Sequence, residues 1–314
     1  MLRFIQTRLL LTIPVLLGVS LISFSILHLI PGDPARILLS DAGGSGGGGD
    51  ASEQAYLNLR AELGLDDPLI VQYFHYISNA IRGDLGYSYT TSQPVGNTII
   101  DLLPATLQLT IFGLGIAIII GLVLGVIASM YQNTWIDTLT MIFSLIGLSM
   151  PSFWLGFLLI NFMSFRFGLL PASGSEGIQA LILPSATLGL VAAGTIARLV
   201  RSTMLEVLQQ EYIVTARAKG LRYRSVIIGH ALRNALIPVV TVVGLQFGGL
   251  LSGAVIIETV FARRGIGRLA IDAVLSRDYP MIQGTILVAA FGYVIVNLIV
   301  DVSYAWMDPR IKYQ

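Results

Sequence analysis

Six long runs of apolar residues, more than any motif, decide what this chain can fold into. A run of about 18 or more apolar residues with few charges is long enough to cross the hydrocarbon core as a helix at 1.5 Å rise per residue. Such spans are predicted at about 9–30, 105–130, 137–165, 183–203, 236–260 and 283–306. Lipid offers no hydrogen bonds, so each span must pair its own backbone groups, which a helix does. The expected fold class is all-α: a polytopic membrane protein with about six transmembrane helices. Composition agrees, since 54% of the 314 residues are hydrophobic and 12% charged, about half the charge of a soluble domain.

The same composition removes several function classes. A net charge of +1 argues against a nucleic-acid partner. With no cysteine, disulfides, thiolate metal sites and cysteine nucleophiles are excluded. His28, His75 and His230 are far apart and have no ligand spacing, so no metal is expected. No Gly-x-x-x-x-Gly-Lys-Ser/Thr occurs, so ATP hydrolysis by a phosphate-cradling loop is not expected of this chain. Gly174-Ser175-Glu176-Gly177 lacks nucleophile-elbow spacing, and His-Glu-x-x-His is absent, so no catalytic residue is expected.

The run from Leu9 to Ile30 is too long for a signal-peptide core and ends at Pro31 without a small-x-small site, so a retained first helix is expected. Basic residues are kept on the cytoplasmic side. With both termini inside, Arg198, Arg201, Arg217, Lys219, Arg222, Arg224 and Arg233 lie inside, together with Arg310 and Lys312 at the end. The segment from Pro31 to Asp101 then lies outside and is acid-rich, with Asp33, Asp66, Asp67 and Asp84 among its carboxylates. Arg263, Arg264 and Arg268 in the outer loop 261–282 run against the rule, but the first helix and the large basic segment outweigh them.

Two regions are expected: residues 1–101, a first transmembrane helix plus an extracytoplasmic segment, and residues 102–314, a five-helix core. The Gly-rich stretch 43–49 has a flexible-linker composition. A short amphipathic helix with Leu57, Leu59 and Leu63 should stop at Gly64, and a second should run from Leu69 to Ile81. Pro104, Pro184 and Pro238 are expected in first helical turns. Pro151, inside the third span, should kink or break it, with a packing kink preferred over a hinge or pore lining. Asp137, Glu258 and Asp301 lie near span ends, and a carrier driven by an ion gradient would place carboxylates at the midplane. Most uncharged polar residues, among them Ser144 and Thr187, are expected to bond between helices, and Gly244/Gly248 is a small-xxx-small pair suited to close packing.

The informative segment lies between spans four and five. Glu211-Tyr212-Ile213-Val214-Thr215-Ala216-Arg217-Ala218-Lys219-Gly220-Leu221 opens with good helix formers, and Gly220 is placed to end the helix. The segment offers a short cationic helix to the cytoplasm, with small residues Ala216 and Ala218 that allow close approach. From the residues alone two readings stand: a docking helix for an acidic partner surface, or a basic loop resting on anionic lipid.

Glu211-Tyr212, Thr215-Ala216-Arg217-Ala218-Lys219-Gly220 and Leu232-Arg233-Asn234-Ala235-Leu236-Ile237-Pro238 resemble the signature of binding-protein-dependent ABC importer permeases, most closely the dipeptide/oligopeptide/nickel branch. Pro31-Gly32-Asp33-Pro34-Ala35, Leu63-Gly64-Leu65-Asp66, Gly83-Asp84-Leu85-Gly86, Arg277-Asp278-Tyr279-Pro280 and Asp308-Pro309-Arg310 are similar to that branch too, so the resemblance spans nearly the whole chain. It implies a type I permease fold in a bacterial inner membrane. It also implies a second, similar permease subunit, two cytoplasmic ATPase subunits that bind ATP and Mg, and an extracytoplasmic solute-binding protein. The cargo implied is a short peptide, with nickel or glutathione as alternatives. The helix near 211–221 would be the coupling helix, contacting the ATPase through Glu211, Tyr212, Thr215, Ala216, Arg217, Lys219, Gly220 and Leu221. In the family's Glu-Ala-Ala-x-x-x-Gly pattern Val214, Thr215 and Ala216 take the first three positions, so the first two depart from it. By the same resemblance Gln246 would line the translocation path, and Asn161 and Asn297, polar residues inside their spans, are further candidates for it. A secondary transporter or channel is the alternative from another class.

Overall fold

A computed structural model of the chain describes residues 2–29, 33–41, 50–62 and 64–307. The Gly-rich stretch 43–49, Pro31-Gly32, Leu63, the motif Asp308-Pro309-Arg310 and the basic Lys312 lie outside the described residues. The described elements are helices: α1 (Leu2–Leu29), α2 (Pro34–Asp41), α3 (Asp50–Glu62), α4 (Leu69–Ile81), α5 (Val95–Met130), α6 (Trp135–Ser149), α7 (Ser152–Leu159), α8 (Gln179–Leu208), α9 (Glu211–Ala218), α10 (Tyr223–Ser225), α11 (Leu232–Val260), α12 (Ile266–Leu275) and α13 (Tyr279–Met307). Five helical stretches are long and apolar enough to cross a membrane, and α6 with the helix after it makes a sixth only as a bent pair.

That bent pair is the third span, and it is broken rather than kinked. Its two halves meet at 107°. Met150 takes φ −79°, ψ 131° and Pro151 takes φ −58°, ψ 133°. A proline ring clashes with a preceding residue in the α region and has no N–H to continue the ladder. Pro151 therefore ends α6 and starts α7, which winds on as a π-helix over Ile160–Arg166. Pro104, Pro184 and Pro238 behave in the opposite way to expectation. They lie inside α5, α8 and α11, which begin upstream at Val95, Gln179 and Leu232. Hydropathy marks where lipid begins, whereas the helices start upstream of it, and a membrane helix tolerates an interior proline because neighbouring groups re-satisfy the freed backbone group. Gly64, at φ +66°, stops α3 as expected.

The chain divides into two compact units. The first comprises Met1–Thr7, Pro104–Arg268 and Tyr293–Gln314. Its centre is α8, whose apolar window is 72% buried against 28% or less for the other four continuous spans. Small residues make this burial possible. A Cβ on Gly189 would lie 2.5 Å from the Gly113 carbonyl, and one on Gly125 would lie 2.6 Å from the Ala197 carbonyl. A Cβ on Gly147 would lie 2.9 Å from the Leu190 carbonyl, and Gly194 is pressed against the Ser144 carbonyl. Neighbouring backbones thus approach α8 with no side chain between them. Gly248, singled out from the sequence, serves a different purpose: it is a notch filled by the Tyr293 ring.

Two hydroxyls singled out from the sequence are satisfied within their own helices. Ser144 donates to the Thr140 carbonyl and Thr187 to the Leu183 carbonyl, each at 2.8 Å. The interhelical bonding expected for them is not made, because a hydroxyl reaches the carbonyl four residues back without any partner helix.

The second unit comprises Arg8–Leu103 and Leu269–Gly292. Here the scattered acidic motifs are used internally. Tyr56 donates to Asp33 at 2.5 Å, while Arg60 reaches Asp33 at 3.3 Å and Asp66 at 2.7 Å. Asp278 accepts from the Ser88 hydroxyl at 2.5 Å, the Thr90 hydroxyl at 3.0 Å and the Tyr89 N–H at 3.1 Å. Asp84 holds the neighbouring turn by accepting from Gly86 N–H at 2.9 Å. Burial, helped by the Asp278 charge, pushes the Tyr89 phenol up to about 12.

Candidate functional site

The segment between α8 and α11 folds as an anchored helix, not as a loose basic loop. Glu211–Ala218 forms α9, with Glu211 in the first turn, where a carboxylate favours the positive end of the helix dipole. Its C-terminus closes as a Schellman motif: the Leu221 N–H donates to the Ala216 carbonyl at 3.4 Å, and the Gly220 N–H to the Arg217 carbonyl at 2.9 Å. Gly220 sits at φ +76° with open space where a Cβ would be, so its role is conformational.

One face of α9 is turned into the chain's own core. Ile213 is fully buried and Ala216 is 9% exposed, three residues apart and so on one side of the helix. They join a cluster with Val226, Ile227, Ala231 and Ala235. Val226–Ala231 is a π-helical turn that leads directly into α11. The Asn234 amide donates to the Tyr212 hydroxyl at 2.7 Å, tying α9 to the first turn of α11. The Arg217 guanidinium lies 5.7 Å from the centre of the Tyr223 ring, a cation–π contact. The two separated halves of the sequence signature, 211–221 and 232–238, therefore meet in one structure.

Apart from Ile213 and Ala216 the segment is exposed, Tyr212 and Arg217 included despite the contacts just described. Glu211, Tyr212, Val214, Thr215, Arg217, Ala218, Lys219, Gly220 and Leu221 are exposed, with Val214 at 59%. Ala216, assigned to the docking face from its small size, instead packs inward; its smallness lets α9 lie close on the π-turn. Ala218 is the small residue left facing out.

The three path residues are not gathered in the same way. Asn161 lies on the π-helix after α7 and is exposed, whereas Gln246 on α11 and Asn297 on α13 are half-buried.

Away from α9, two buried carboxylates have partners that sequence alone did not supply. On α6, Asp137 meets Arg201 of α8. On α11, Glu258 is fully buried and accepts from the Thr106 hydroxyl at 2.5 Å and the Arg268 N–H at 3.1 Å. Thr106 Oγ1 in turn accepts from the Ile266 N–H at 2.9 Å, so α5 and α11 together cap the start of α12. Gly265 is pressed against the Glu258 carboxylate, which a side chain there would displace, and Gly267 is pressed against the Val255 backbone. Arg263 is also buried, at 3% exposed, and belongs to no solvated or docking surface. Burial pushes its guanidinium below the usual arginine range, with the Glu258 charge opposing that shift.

The family model described as "Binding-protein-dependent transport system inner membrane component" matches residues 117–313, and its N-terminal companion matches residues 1–110. The chain is a binding-protein-dependent ABC importer permease. Within that family it falls in the dipeptide/oligopeptide/nickel branch. The permease is 45% identical over 314 residues to the glutathione transport system permease protein GsiC of Escherichia coli O6:H1, covering all of both chains. It is likewise 45% identical to the dipeptide transport system permease protein DppB of Alkalihalophilus pseudofirmus, again over all of both chains. Among solved structures, an inward-facing methionine ABC transporter, MetNI, matches with a TM-score of 0.59 at 19% identity, over 67% of this permease and 96% of that chain. An amino acid ABC transporter matches with a TM-score of 0.51 at 18% identity, over 68% of this permease and 94% of that chain. These likenesses carry the type I permease fold.

Proposed function

We propose that this permease imports short peptides through the cell membrane, driven by separate ATPase subunits that dock on α9. Supporting this is the form of α9 itself: a capped helix, bonded to α11 and, apart from Ile213 and Ala216, exposed. A lipid-resting loop needs neither the Schellman closure nor the Tyr212–Asn234 bond. A helix that must pass movement from a partner to membrane spans needs both, because force is handed on only through a rigid element. On this reading α9 is cytoplasmic, the termini are inside, and the segment 33–101 faces the binding protein. ATP and Mg are held by the two ATPase subunits, and a second permease subunit completes the pathway, with Gln246, Asn161 and Asn297 contributing polar groups to it.

Peptide cargo is supported by the branch and by the DppB relative. The GsiC relatives favour a second reading, glutathione, which is itself a small peptide. The test is ATP-dependent uptake into liposomes by the assembled complex, with a radiolabelled dipeptide and radiolabelled glutathione in parallel. Uptake of either that requires ATP and the binding protein supports the reading. Uptake by the permease alone, driven by an ion gradient, contradicts it.

A further inference from the structure

A part-buried ion pair joins the inner ends of α6 and α8. Arg201 Nε donates to Asp137 Oδ1 and Nη2 to Oδ2, both at 2.7 Å. The Asp137 side chain is 7% exposed and that of Arg201 26%. Asp137 Oδ2 also accepts the Asn133 N–H at 3.0 Å, and Asn133, at φ +61°, forms the turn between α5 and α6. One carboxylate thus holds the α5–α6 turn, the first turn of α6 and the last turns of α8. From Arg201 the helix runs to Leu208, and α9 begins at Glu211.

Exposed ion pairs contribute little, and a buried pair repays desolvation only when geometry is good. The small-residue contacts of α8 already hold α6 close: Gly194 lies against Ser144, and Gly147 against Leu190. Such smooth contacts permit sliding, whereas a two-pronged arginine–carboxylate fork fixes both distance and angle.

We propose that Asp137 and Arg201 are positioning residues for coupling, making α6, the α5–α6 turn, the end of α8 and α9 one rigid body. Movement delivered to α9 then reaches the broken third span without slip. This rests on the reading of α9 as the ATPase-docking helix.

The chain has no cysteine, so, with cysteine-free partner subunits, spin labels at Gln132→Cys and Gln210→Cys report on the α5–α6 turn and the start of α9. Their separation is measured by pulsed electron resonance in the assembled complex in nanodiscs, nucleotide-free and ATP-trapped. One unchanged distance in both states is expected. With Arg201→Gln added, the distribution broadens and uptake per ATP hydrolysed falls about fivefold or more. Should Arg201→Gln fail to insert, the neutral pair Asp137→Asn/Arg201→Gln removes the stranded charge, and the measurement on the native pair stands without any variant. A distance that changes between states in the native pair overturns the proposal, as does unchanged uptake per ATP in Arg201→Gln or in the neutral pair. Failure of the docking reading shows separately, as loss of the ATPase subunits from the labelled complex.

Discussion

The Asn234 amide and the Tyr212 hydroxyl, 22 residues apart in sequence, meet at 2.7 Å and fasten α9 to the start of α11. The bond is partly solvated, so its loss in Tyr212→Phe costs about 0.5–1.5 kcal/mol of local stability. Hydrogen exchange at the α9 amides checks this: exchange should speed about two- to tenfold in Tyr212→Phe, while α8 amides are unchanged.

Gly220 isolates backbone strain from packing, since nothing lies within 4 Å of an added Cβ while φ is +76°. Gly220→Ala should weaken α9 by about 1 kcal/mol, Gly220→Val by more, and Gly220→Asn least, because asparagine tolerates the left-handed region. Yield of ATPase co-purified with the permease should follow that order.

Ala216 and Ala218 separate the two faces of α9. Ala216→Trp forces a large ring into the chain's own core and should lower folded yield, with overpacking costing about 1–3 kcal/mol or more. Ala218→Trp leaves folding intact, because residue 218 is exposed, yet it should abolish ATPase binding. Detergent stability and subunit co-purification, measured on both variants, distinguish the two effects.

How much of this was legible in the sequence depends on range. Apolar runs placed the spans, and Gly64, Gly220 and the Leu69–Ile81 helix were readable because capping and periodicity are local. The side-chain partners of Asp137, Glu258, Asp33 and Asp278 were not, since Arg201, Thr106, Tyr56 and Ser88 lie on other elements more than twenty residues away. Glu258 was read as a carboxylate near a span end and Asp278 as part of a family-like motif; they are caps for loop and helix backbones that only the fold brings near. Ala216 was read as outward because small size suits a docking face and a buried face equally, and only the burial of Ile213 three residues earlier decides between them. The break at Pro151 was visible as a proline but not in size, because the bend depends on both Met150 and Pro151 leaving the α region.

Glu258 gives a further expectation. Glu258→Ala strips the cap from α12 and leaves Thr106 and two backbone N–H groups short of an acceptor in a buried site, costing about 1–3 kcal/mol. Glu258→Gln keeps one carbonyl acceptor and should fall between. Thermal unfolding in detergent should rank native, Glu258→Gln, Glu258→Ala.

The most direct measurement is site-specific photocrosslinking from residue 218 in the intact cell. A photoreactive amino acid at position 218 should form an adduct with an ATPase subunit, while the same group at Phe143, 65% exposed on the apolar helix α6, should not. An adduct at 218 with lipid alone, or labelling of that position by a membrane-impermeant reagent added outside the cell, contradicts the assignment of α9 as the helix on which the ATPase docks.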